Sequence, residues 1–408
     1  MRILYLHQYF KTPEEGGAIR SYYLSTALAK KGHDVEMITS HNKRAYEVKI
    51  IDGIRVHYLP INYDAKFSPT RRIVSFLRFI WQAYRLAIVL GKFDLCYASS
   101  TPLTIGWIAL KLQRKKGLPF YFEVRDLWPQ APIEMGIIKT RLIKKWLYKF
   151  ELKIYQHADR IIALSPGIRD YIEKKVDSNK IRIVTNMSDC EFFSPQLKSL
   201  EIEKKYKVQD HFVITYFGAI GPVNHVESLI DIAIECKKRG LHKVHFQIVG
   251  RGPQKQELRR LIRVHKLDNV NLYSYTNKKG IQEFLNVTDA VFTSFKKLNV
   301  LQSTSPNKFF DGLAAGKIQI INVDGWLRSL VESKRCGFYV DPDNPSDFTE
   351  SIVPFLQQKT RILEFQRNSR KLAELYFSRE TQTEKFLHAF DKEERMDLTA
   401  SSVYTLTG

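Results

Sequence analysis

Short apolar runs alternate with amphipathic segments along the first half of the chain. The run that starts at Ile3 leads into a glycine pair, an amphipathic stretch over residues 18–31, Gly32, and a second apolar run near residues 35–39. This order predicts a buried strand, a helix that stops at Gly32 and a second strand. Further strand-like runs are IRVHYL, DLCYASS, PFYFEV, RIIALS and IRIVTN. Helical stretches between several of them are typical of a parallel sheet flanked by helices.

The same alternation restarts after a charged, helical-looking connector. Strand-like runs are FVITYFGAIG, VHFQIVGRG, VNLYSY, AVFTSF and IQIINV, with helical patterns over residues 226–238 and 254–265 and near 281–284. The pattern predicts an α/β protein with two Rossmann-like parallel-sheet domains, residues 1–195 and 196–375. A helix at 376–394 is expected to pack back on the first domain, before a polar tail at 395–408. Ligands bind at the carboxyl ends of such strands, which we expect to face a shared central cleft.

The segment TSPNKFFDGLAAGK predicts one further helix. Ser305 is a suitable N-cap, Pro306 suits the first helical position, apolar residues recur every three or four positions, and Gly316 can end the helix. Lys308 then lies in the first turn, where the helix dipole is already positive, at a cost of a few tenths of a kcal/mol. A bound anion would remove this conflict.

Length and charge narrow the functional classes. The 408 residues suffice for two domains, and 64 basic against 43 acidic residues give a formal net charge of +21. Such an excess favours polyanions, an anionic membrane or anionic small substrates as partners. No helix-turn-helix, zinc-finger or RNA-binding aromatic motif accompanies the charge, so we expect no nucleic-acid partner.

Cysteine spacing and the N-terminal sequence indicate the cellular compartment in which the protein works. Four widely spaced cysteines, with no CxxC pair, indicate neither a zinc site nor a disulfide framework and fit a reducing environment. The first apolar run is too short for a signal peptide. We therefore expect a cytoplasmic protein.

Six motifs together carry a family resemblance. HQYFKTPEEGGAIRSYYLSTALAKKGHDV, FEVRDLWPQ, VTNMSDCEFF, YFGAIG, IVGRGP and SPNKFFDGLAAGK follow one another across nearly the whole chain. In this order and spacing they resemble the retaining glycosyltransferases of family 4, which have the two-domain GT-B fold. The resemblance implies transfer of a sugar from a nucleoside diphosphate to an acceptor hydroxyl, with no metal and no other cofactor.

Glycine turns and basic residues form the expected donor site. The resemblance places Gly17 against the donor diphosphate, and Gly218 and Gly221 close a βα turn whose backbone amides can cradle phosphate. Many family members carry an arginine and a lysine just after the first of these glycines, but alanine and asparagine, at positions 219 and 224, replace them here. Arg251 and Lys308 are the nearest basic residues that could neutralise the diphosphate.

The helix after Ser305 supplies the remaining donor contacts. Asp311 corresponds to the second glutamate of the family's E-x7-E pair, which implies a contact with the nucleotide ribose. Ser303 replaces the first glutamate, so the resemblance implies that the sugar is held differently than in typical members. We also assign Asn307 to this site. The alternative for Asp311 is an ion pair with Lys308, one turn away on the helix surface.

The loop EVRDLWPQ is the expected acceptor site. Glu123, Arg125 and Asp126 concentrate charge where a strand of the first domain ends, a suitable position for acceptor binding or proton transfer. We assign Arg125 and Asp126 to acceptor binding and Asp126, with Lys308 and Arg251, to catalysis. The alternative is a salt bridge between Arg125 and a neighbour within the loop.

A possible metal motif is better explained as a turn. VDPDNPSD places Asp341 and Asp343 in a D-x-D pattern, but Pro342 and Pro345 remove the flexibility and the glycine that a calcium loop needs. We therefore assign no metal ligands.

Two basic, aromatic segments could explain the charge excess. In TRRIVSFLRFIWQAYRLAIVL, polar positions recur every three or four residues, and arginines at mid-segment would each cost about 2.5–3.5 kcal/mol in a bilayer core. A helix buried in the first domain is the expected alternative to membrane contact. KTRLIKKWLYKFELKIYQH has the basic and aromatic composition of a helix lying on anionic lipid. Membrane docking and a solvated basic face remain open for it.

The functional hypothesis is a retaining hexosyltransferase that uses a UDP-sugar. The expected acceptor is a lipid-linked saccharide in surface-polysaccharide assembly, met at the inner face of the cell membrane. Two alternatives are a nucleotide-sugar epimerase of the same architecture and a noncatalytic polyanion-binding protein.

Overall fold

Two compact units make up the structure, a computed structural model that describes residues 1–15, 19–64 and 67–391. Unit 1 comprises Met1–Thr185 together with the segment that begins at Thr383, and unit 2 comprises Asn186–Gln382. The tail predicted at residues 395–408 lies outside the described residues.

Unit 1 is built on a sheet of eight strands in the order β3-β4-β2-β1-β5-β6-β7-β8. These strands are β1 (Arg2–Leu6), β2 (Asp34–His41), β3 (Glu47–Ile51), β4 (Ile54–Pro60), β5 (Leu95–Ser99), β6 (Phe120–Val124), β7 (Arg160–Ala163) and β8 (Ile181–Ile183). All pairs are parallel except β3 with β4. The purely parallel sheet predicted from the sequence is therefore wrong at this edge, where β3 has mostly exposed residues and no apolar pattern that marks a buried strand.

Helices connect the strands in the described part of unit 1. They are α1 (Arg20–Lys30), α2 (Pro69–Val89), α3 (Ile105–Lys116), α4 (Gln130–Glu134), α5 (Arg141–His157) and α6 (Pro166–Glu173). Ser68 caps α2 by accepting a hydrogen bond from the backbone N–H of Arg71. Gly117 ends α3 in the left-handed conformation, with φ of 64°.

Unit 2 has a second, fully parallel sheet in the order β11-β10-β9-β12-β13-β14. Its strands are β9 (Phe212–Ala219), β10 (Val244–Arg251), β11 (Val270–Tyr273), β12 (Ala290–Thr293), β13 (Ile318–Ile321) and β14 (Gly337–Tyr339). The sequence predicted the first five and missed β14, which is only three residues long. Buried side chains such as Ile214, Phe246 and Phe292 form the core beneath the helices.

The helices that follow cover this sheet and lead into the last segment of the chain. They are α7 (Leu200–Tyr206), α8 (Glu227–Lys238), α9 (Lys255–Val264), α10 (Lys278–Val287), α11 (Asn307–Ala314), α12 (Trp326–Ser333), α13 (Ser346–Gln357), α14 (Lys359–Leu372) and α15 (Arg379–His388).

The last described residues belong to unit 1. Phe386 lies 5.2 Å from Tyr97, and Phe390 lies 5.1 Å from Tyr121, between ring centroids. These aromatic contacts attach the segment to strands β5 and β6. Within the described residues, no helix is both long enough and apolar enough to cross a membrane.

Candidate anion-binding site

Glycines at the ends of β9 and β10 let two backbones approach closely. The strands pair in parallel, with Gly250 opposite Gly218 and Arg251 opposite Ala219. A Cβ atom on Gly250 would lie 2.1 Å from the carbonyl oxygen of Gly218, a distance that no side chain can adopt. Gly218 itself has a φ of 140°, which strongly favours glycine. The sequence therefore specifies an exposed backbone turn at this strand end.

The turn after β9 is held by its own hydrogen bonds. The hydroxyl of Tyr216 donates to the carbonyl oxygen of Ala219 at 2.5 Å, and the N–H of Asn224 donates to the carbonyl oxygen of Gly221 at 2.9 Å. Asn224 also accepts a hydrogen bond from Ser294 through its carbonyl oxygen. These contacts fix the backbone of the turn, which we predicted to face the donor phosphates.

Helix α11 begins one residue later than we predicted. Pro306 occupies the N-cap position, and Asn307 is the first helical residue, so the predicted N-cap at Ser305 is wrong. The carbonyl oxygen of Ser305 accepts a hydrogen bond from the side chain of Asn186 at 2.5 Å, so Ser305 is held by another segment of unit 2. Gly316, with φ of 63°, follows the end of the helix as expected.

Lys308 lies in the first turn of α11, as predicted, and its ammonium group is buried without a hydrogen-bond partner. The residue is 9% exposed, and no described residue accepts a hydrogen bond from its Nζ. Nζ lies 4.0 Å from the ring centroid of Tyr216 and 5.7 Å from that of Phe295. It is also 3.5 Å from the position that a Cβ atom on Gly218 would take. The side chain therefore reaches from the helix to the glycine turn.

Burial without an acceptor is costly for a lysine. Desolvation lowers the pKa of Lys308 from 10.5 to about 7. The aromatic faces attract the cation but cannot accept its hydrogen bonds in the way a carboxylate or phosphate can. A bound anion would supply those acceptors and favour the protonated form.

Asp311 lies one turn further along α11 and does not pair with Lys308. Its side chain is half-buried, and desolvation raises its pKa to about 7, against the influence of the nearby Lys278 ammonium. Lys278 forms its ion pair with Asp189 instead. The alternative of a surface ion pair between Asp311 and Lys308 is therefore wrong.

The other expected donor residues lie at the end of β10, in the first turn of α11 and in the short helical turn before it. Arg251 is exposed at the end of β10, with its guanidinium 4.5 Å from the ring centroid of Tyr275. Asn307 is exposed beside Lys308. The hydroxyl of Ser303 donates to the carbonyl oxygen of Val300 at 2.7 Å. This hydrogen bond stabilises the short helical turn that contains both residues. Gly17 lies outside the described residues.

The acceptor residues proposed from the sequence lie in unit 1, after β6. Arg125 is half-buried, and its Nη1 lies 3.3 Å from Nε2 of His7, while Asp126 is exposed. Glu123 forms a buried ion pair with Arg20 at 2.8 Å. No carboxylate among the described residues lies within ion-pair distance of Arg125, so the alternative of a loop salt bridge is wrong.

His7 and Tyr216 are site neighbours that the sequence analysis did not single out. Burial, followed by the positive charge of Arg125, lowers the pKa of His7 to about 3, so this imidazole is neutral near Arg125. Both residues lie at or near strand ends beside candidate residues. The position of His7 and Tyr216 at or near predicted strand ends was the signal that could have identified them. We did not use it because we interpreted the apolar runs around them as buried strands.

The D-x-D sequence forms a turn, as predicted. The N–H of Asn344 donates to the carbonyl oxygen of Asp341 at 3.0 Å, and Lys297 bridges Asp341 and Asp343. No group of three or more potential metal ligands comes together within residues 1–15, 19–64 and 67–391.

Comparisons with known proteins cover both halves of the chain. The model of the family described as Glycosyltransferase Family 4 matches residues 15–192, and that described as Glycosyl transferases group 1 matches residues 198–372. A Bacillus subtilis protein described as a putative teichuronic acid biosynthesis glycosyltransferase, TuaH, is 26% identical over 247 residues. The match covers 58% of each protein, so the chain spans about three fifths of the length of such curated relatives.

Solved structures share the architecture at low sequence identity. Sucrose-phosphate synthase from Thermosynechococcus elongatus superposes with a TM-score of 0.77 at 15% identity, over 95% of this chain and 98% of that one. HepE from Anabaena, crystallised with UDP, superposes with a TM-score of 0.67 at 15% identity, over 96% of this chain and 99% of that one. This likeness confirms the fold class predicted from the sequence.

Proposed function

This chain belongs to the glycosyltransferases, with a family 4 domain followed by a group 1 domain in a GT-B fold, and from that premise we propose that it is a retaining hexosyltransferase. The donor is a nucleoside diphosphate sugar, and we propose UDP as its carrier because HepE, of similar fold, was crystallised with UDP. The reaction moves the sugar to an acceptor hydroxyl and releases the nucleoside diphosphate.

One observation carries this proposal, the buried Nζ of Lys308 beside the Gly218 turn. Negative charge grows on the diphosphate as the glycosidic bond breaks. A cation held in a poorly solvated position stabilises such charge strongly, because little reorganisation is needed during the reaction. The positive end of α11 adds to this effect.

Neighbouring residues complete the donor site in the proposal. Arg251, directly opposite Ala219, replaces the missing family arginine in neutralising the diphosphate. The carboxylate of Asp311 accepts hydrogen bonds from the ribose, and the amide of Asn307 contacts the donor from the same turn as Lys308. Backbone amides near Gly218 and Gly221 cradle the phosphates.

The acceptor side of the proposal rests on Arg125 and Asp126. Asp126 is exposed at the end of a strand, where it can contact the attacking hydroxyl. Retention follows when the hydroxyl attacks from the face that the phosphate leaves, with the departing phosphate assisting deprotonation. No step of this scheme requires a metal ion.

The proposed acceptor is a lipid-linked saccharide of a surface polysaccharide. Support comes from TuaH, described as a teichuronic acid biosynthesis protein, and from the basic, aromatic helices of unit 1. The enzyme would then work in the cytoplasm, peripherally on the inner face of the membrane.

Substitution of Lys308 tests the proposal. Lys308→Ala should lower turnover at least about tenfold, measured as release of nucleoside diphosphate, because the leaving group loses a buried cation. Lys279→Ala is a matched control, since Lys279 is exposed in the first turn of α10. Equal turnover of the two variants would refute the assigned role.

Departures from the family's usual donor-site residues favour an alternative function. Ala219 and Asn224 occupy the positions of the usual basic pair, and the hydroxyl of Ser303 is used internally. These departures are compatible with a noncatalytic polyanion-binding protein. Hydrolysis of any nucleotide sugar, or transfer of its sugar to an acceptor, would rule out the noncatalytic alternative. Conversion of one nucleotide sugar into its epimer without an acceptor would indicate an epimerase.

A further inference from the structure

Helix α2 in unit 1 has apolar side chains on its outer face. Phe79 and Ala83 are buried beneath the helix, whereas Ile73, Leu77 and Trp81 are 55–57% exposed. These three residues are spaced four apart, so they form one stripe along the helix. The helix buried in the first domain that the sequence led us to expect is therefore confirmed for one face only, and the opposite face is exposed.

A row of arginines borders this apolar stripe. Arg71, Arg78 and Arg85 are exposed and spaced seven apart, which places them along the same side of the stripe. The guanidinium of Arg85 lies 4.6 Å from the ring centroid of Trp81. Helix α2 contains no acidic residue. The outer face is thus both apolar and strongly basic.

Helix α5 presents a similar face. Leu142 and Trp146 are 78% and 63% exposed, and Lys149 and Lys153 are exposed on the same side of the helix. The acidic residue of α5, Glu151, is buried and pairs with Lys175, so it does not neutralise this face.

Helix α3 joins the two faces into one layer of unit 1. Tyr84 of α2 lies 5.6 Å from Trp107 of α3, between ring centroids. On its other side, α3 packs against α5 so closely that a Cβ atom on Gly106 would lie 2.4 Å from Ile154. The outer faces of α2 and α5 therefore look outward from the same side of the sheet. We call these outer faces the α2–α5 surface, defined by residues 71–89 and 141–153.

We propose that the α2–α5 surface docks on an anionic lipid bilayer. Tryptophan, leucine and isoleucine side chains partition into the boundary between headgroups and acyl chains, while arginine and lysine contact lipid phosphates. Arginines at the middle of α2 make a spanning orientation costly, so the helix lies along the membrane plane. A second copy of this chain is a poorer occupant because it would bring two rows of arginines together.

This surface gives the proposed lipid-linked acceptor a physical location, and in that respect it rests on the proposed function. Binding to lipid itself needs neither donor nor acceptor, so it can be measured separately. Cosedimentation with vesicles of phosphatidylcholine, with or without phosphatidylglycerol, is the direct assay. Binding of UDP without vesicles, measured by isothermal calorimetry, tests the proposed donor site independently.

The expected result is binding to the anionic vesicles only, weakened by salt. Leu77→Ser with Trp81→Ser should lower the partition coefficient at least about tenfold, because two apolar side chains leave the interface. Arg78→Ala with Arg85→Ala should lower the partition coefficient by about fivefold for each arginine, and vesicle binding should then depend less on salt.

The matched control is Val48→Ser with Ile50→Ser, an exposed apolar pair on the edge strand β3 of the same unit. It should bind vesicles like the unmodified protein, with unchanged circular dichroism in every variant. Equal binding of the α2 variants and the control would overturn the proposal. So would an absence of binding by the unmodified protein, or a dimer that the α2 variants dissociate.

Discussion

At the scale of single residues, Lys308 connects the local sequence with the proposed chemistry. A lysine in the first turn of a helix is slightly unfavourable wherever it lies. The structure adds burial and the lack of an acceptor, which make the cost larger, and two aromatic neighbours whose cation–π attraction offsets only part of it. A position that is unfavourable in the unliganded protein is well suited to bind an anion.

Replacing Lys308 by methionine should stabilise the unliganded protein. The folded pKa of about 7 lies below the unfolded value of 10.5, so near pH 7 the unfolded chain holds the proton more tightly than the folded one. Methionine removes this penalty, on the order of a few kcal/mol, less about 1 kcal/mol of lost cation–π attraction. Thermal unfolding at several pH values measures the difference.

The pH dependence has a defined sign. Between about pH 7 and 10.5, unfolding of the unmodified protein takes up a proton, so its stability rises with pH. The advantage of Lys308→Met should therefore be greatest near pH 7 and shrink toward pH 10. Lys279→Met serves as the exposed control, with little change expected. A constant advantage at all pH values would contradict the lowered pKa.

At the scale of secondary-structure elements, glycines at the ends of β9 and β10 determine how closely the two strands approach beside the proposed donor site. Gly250→Ala would push a Cβ atom against the carbonyl oxygen of Gly218 at 2.1 Å, so the strand ends must separate. We expect loss of nucleotide binding and a lower unfolding temperature. Isothermal calorimetry and thermal unfolding measure the two effects.

Gly221→Ala, in the turn after β9, is the matched control. A Cβ atom there would lie 3.7 Å from the side chain of Asn224, an ordinary contact distance, and Gly221 does not have positive φ. The unfolding temperature should change little. Equal destabilisation by the two substitutions would show that the close approach of the strands is not what requires glycine at position 250.

Element types were easier to predict than element ends. The strands β9, β10 and β12 and the helix α11 follow from apolar runs and glycine positions. The start of α11 was wrong by one residue because Asn186, far away in sequence, binds Ser305. For α2, periodicity predicted the helix but not which face would be buried. The sequence does not show whether apolar residues such as Leu77 and Trp81 pack against the protein or face solvent.

At the scale of the whole molecule, the two units should respond differently to nucleotide. UDP at a hundred times its dissociation constant adds about 2.7 kcal/mol to the stability of the unit that binds it. Hydrogen exchange should therefore slow in β9, β10 and the first turn of α11, all in unit 2. Helices α2 and α5 of unit 1 should show no comparable protection.

The opposite pattern would contradict the donor-site assignment. Protection confined to unit 1, or no protection at saturating UDP, would place the nucleotide elsewhere or exclude UDP as the carrier. Lys308→Ala in the same experiment is the internal control, and it should lose most of the protection at equal UDP concentration.

The sequence by itself determined most of the elements, their order in two α/β units and the family, because apolar periodicity and glycine positions act locally. It also placed Lys308 in the first turn of a helix. Only the tertiary structure decided that the Nζ of Lys308 is buried without an acceptor, that Glu123 pairs with Arg20, and that α2 leaves apolar side chains exposed. Those outcomes depend on which segments, distant in sequence, pack against each side chain.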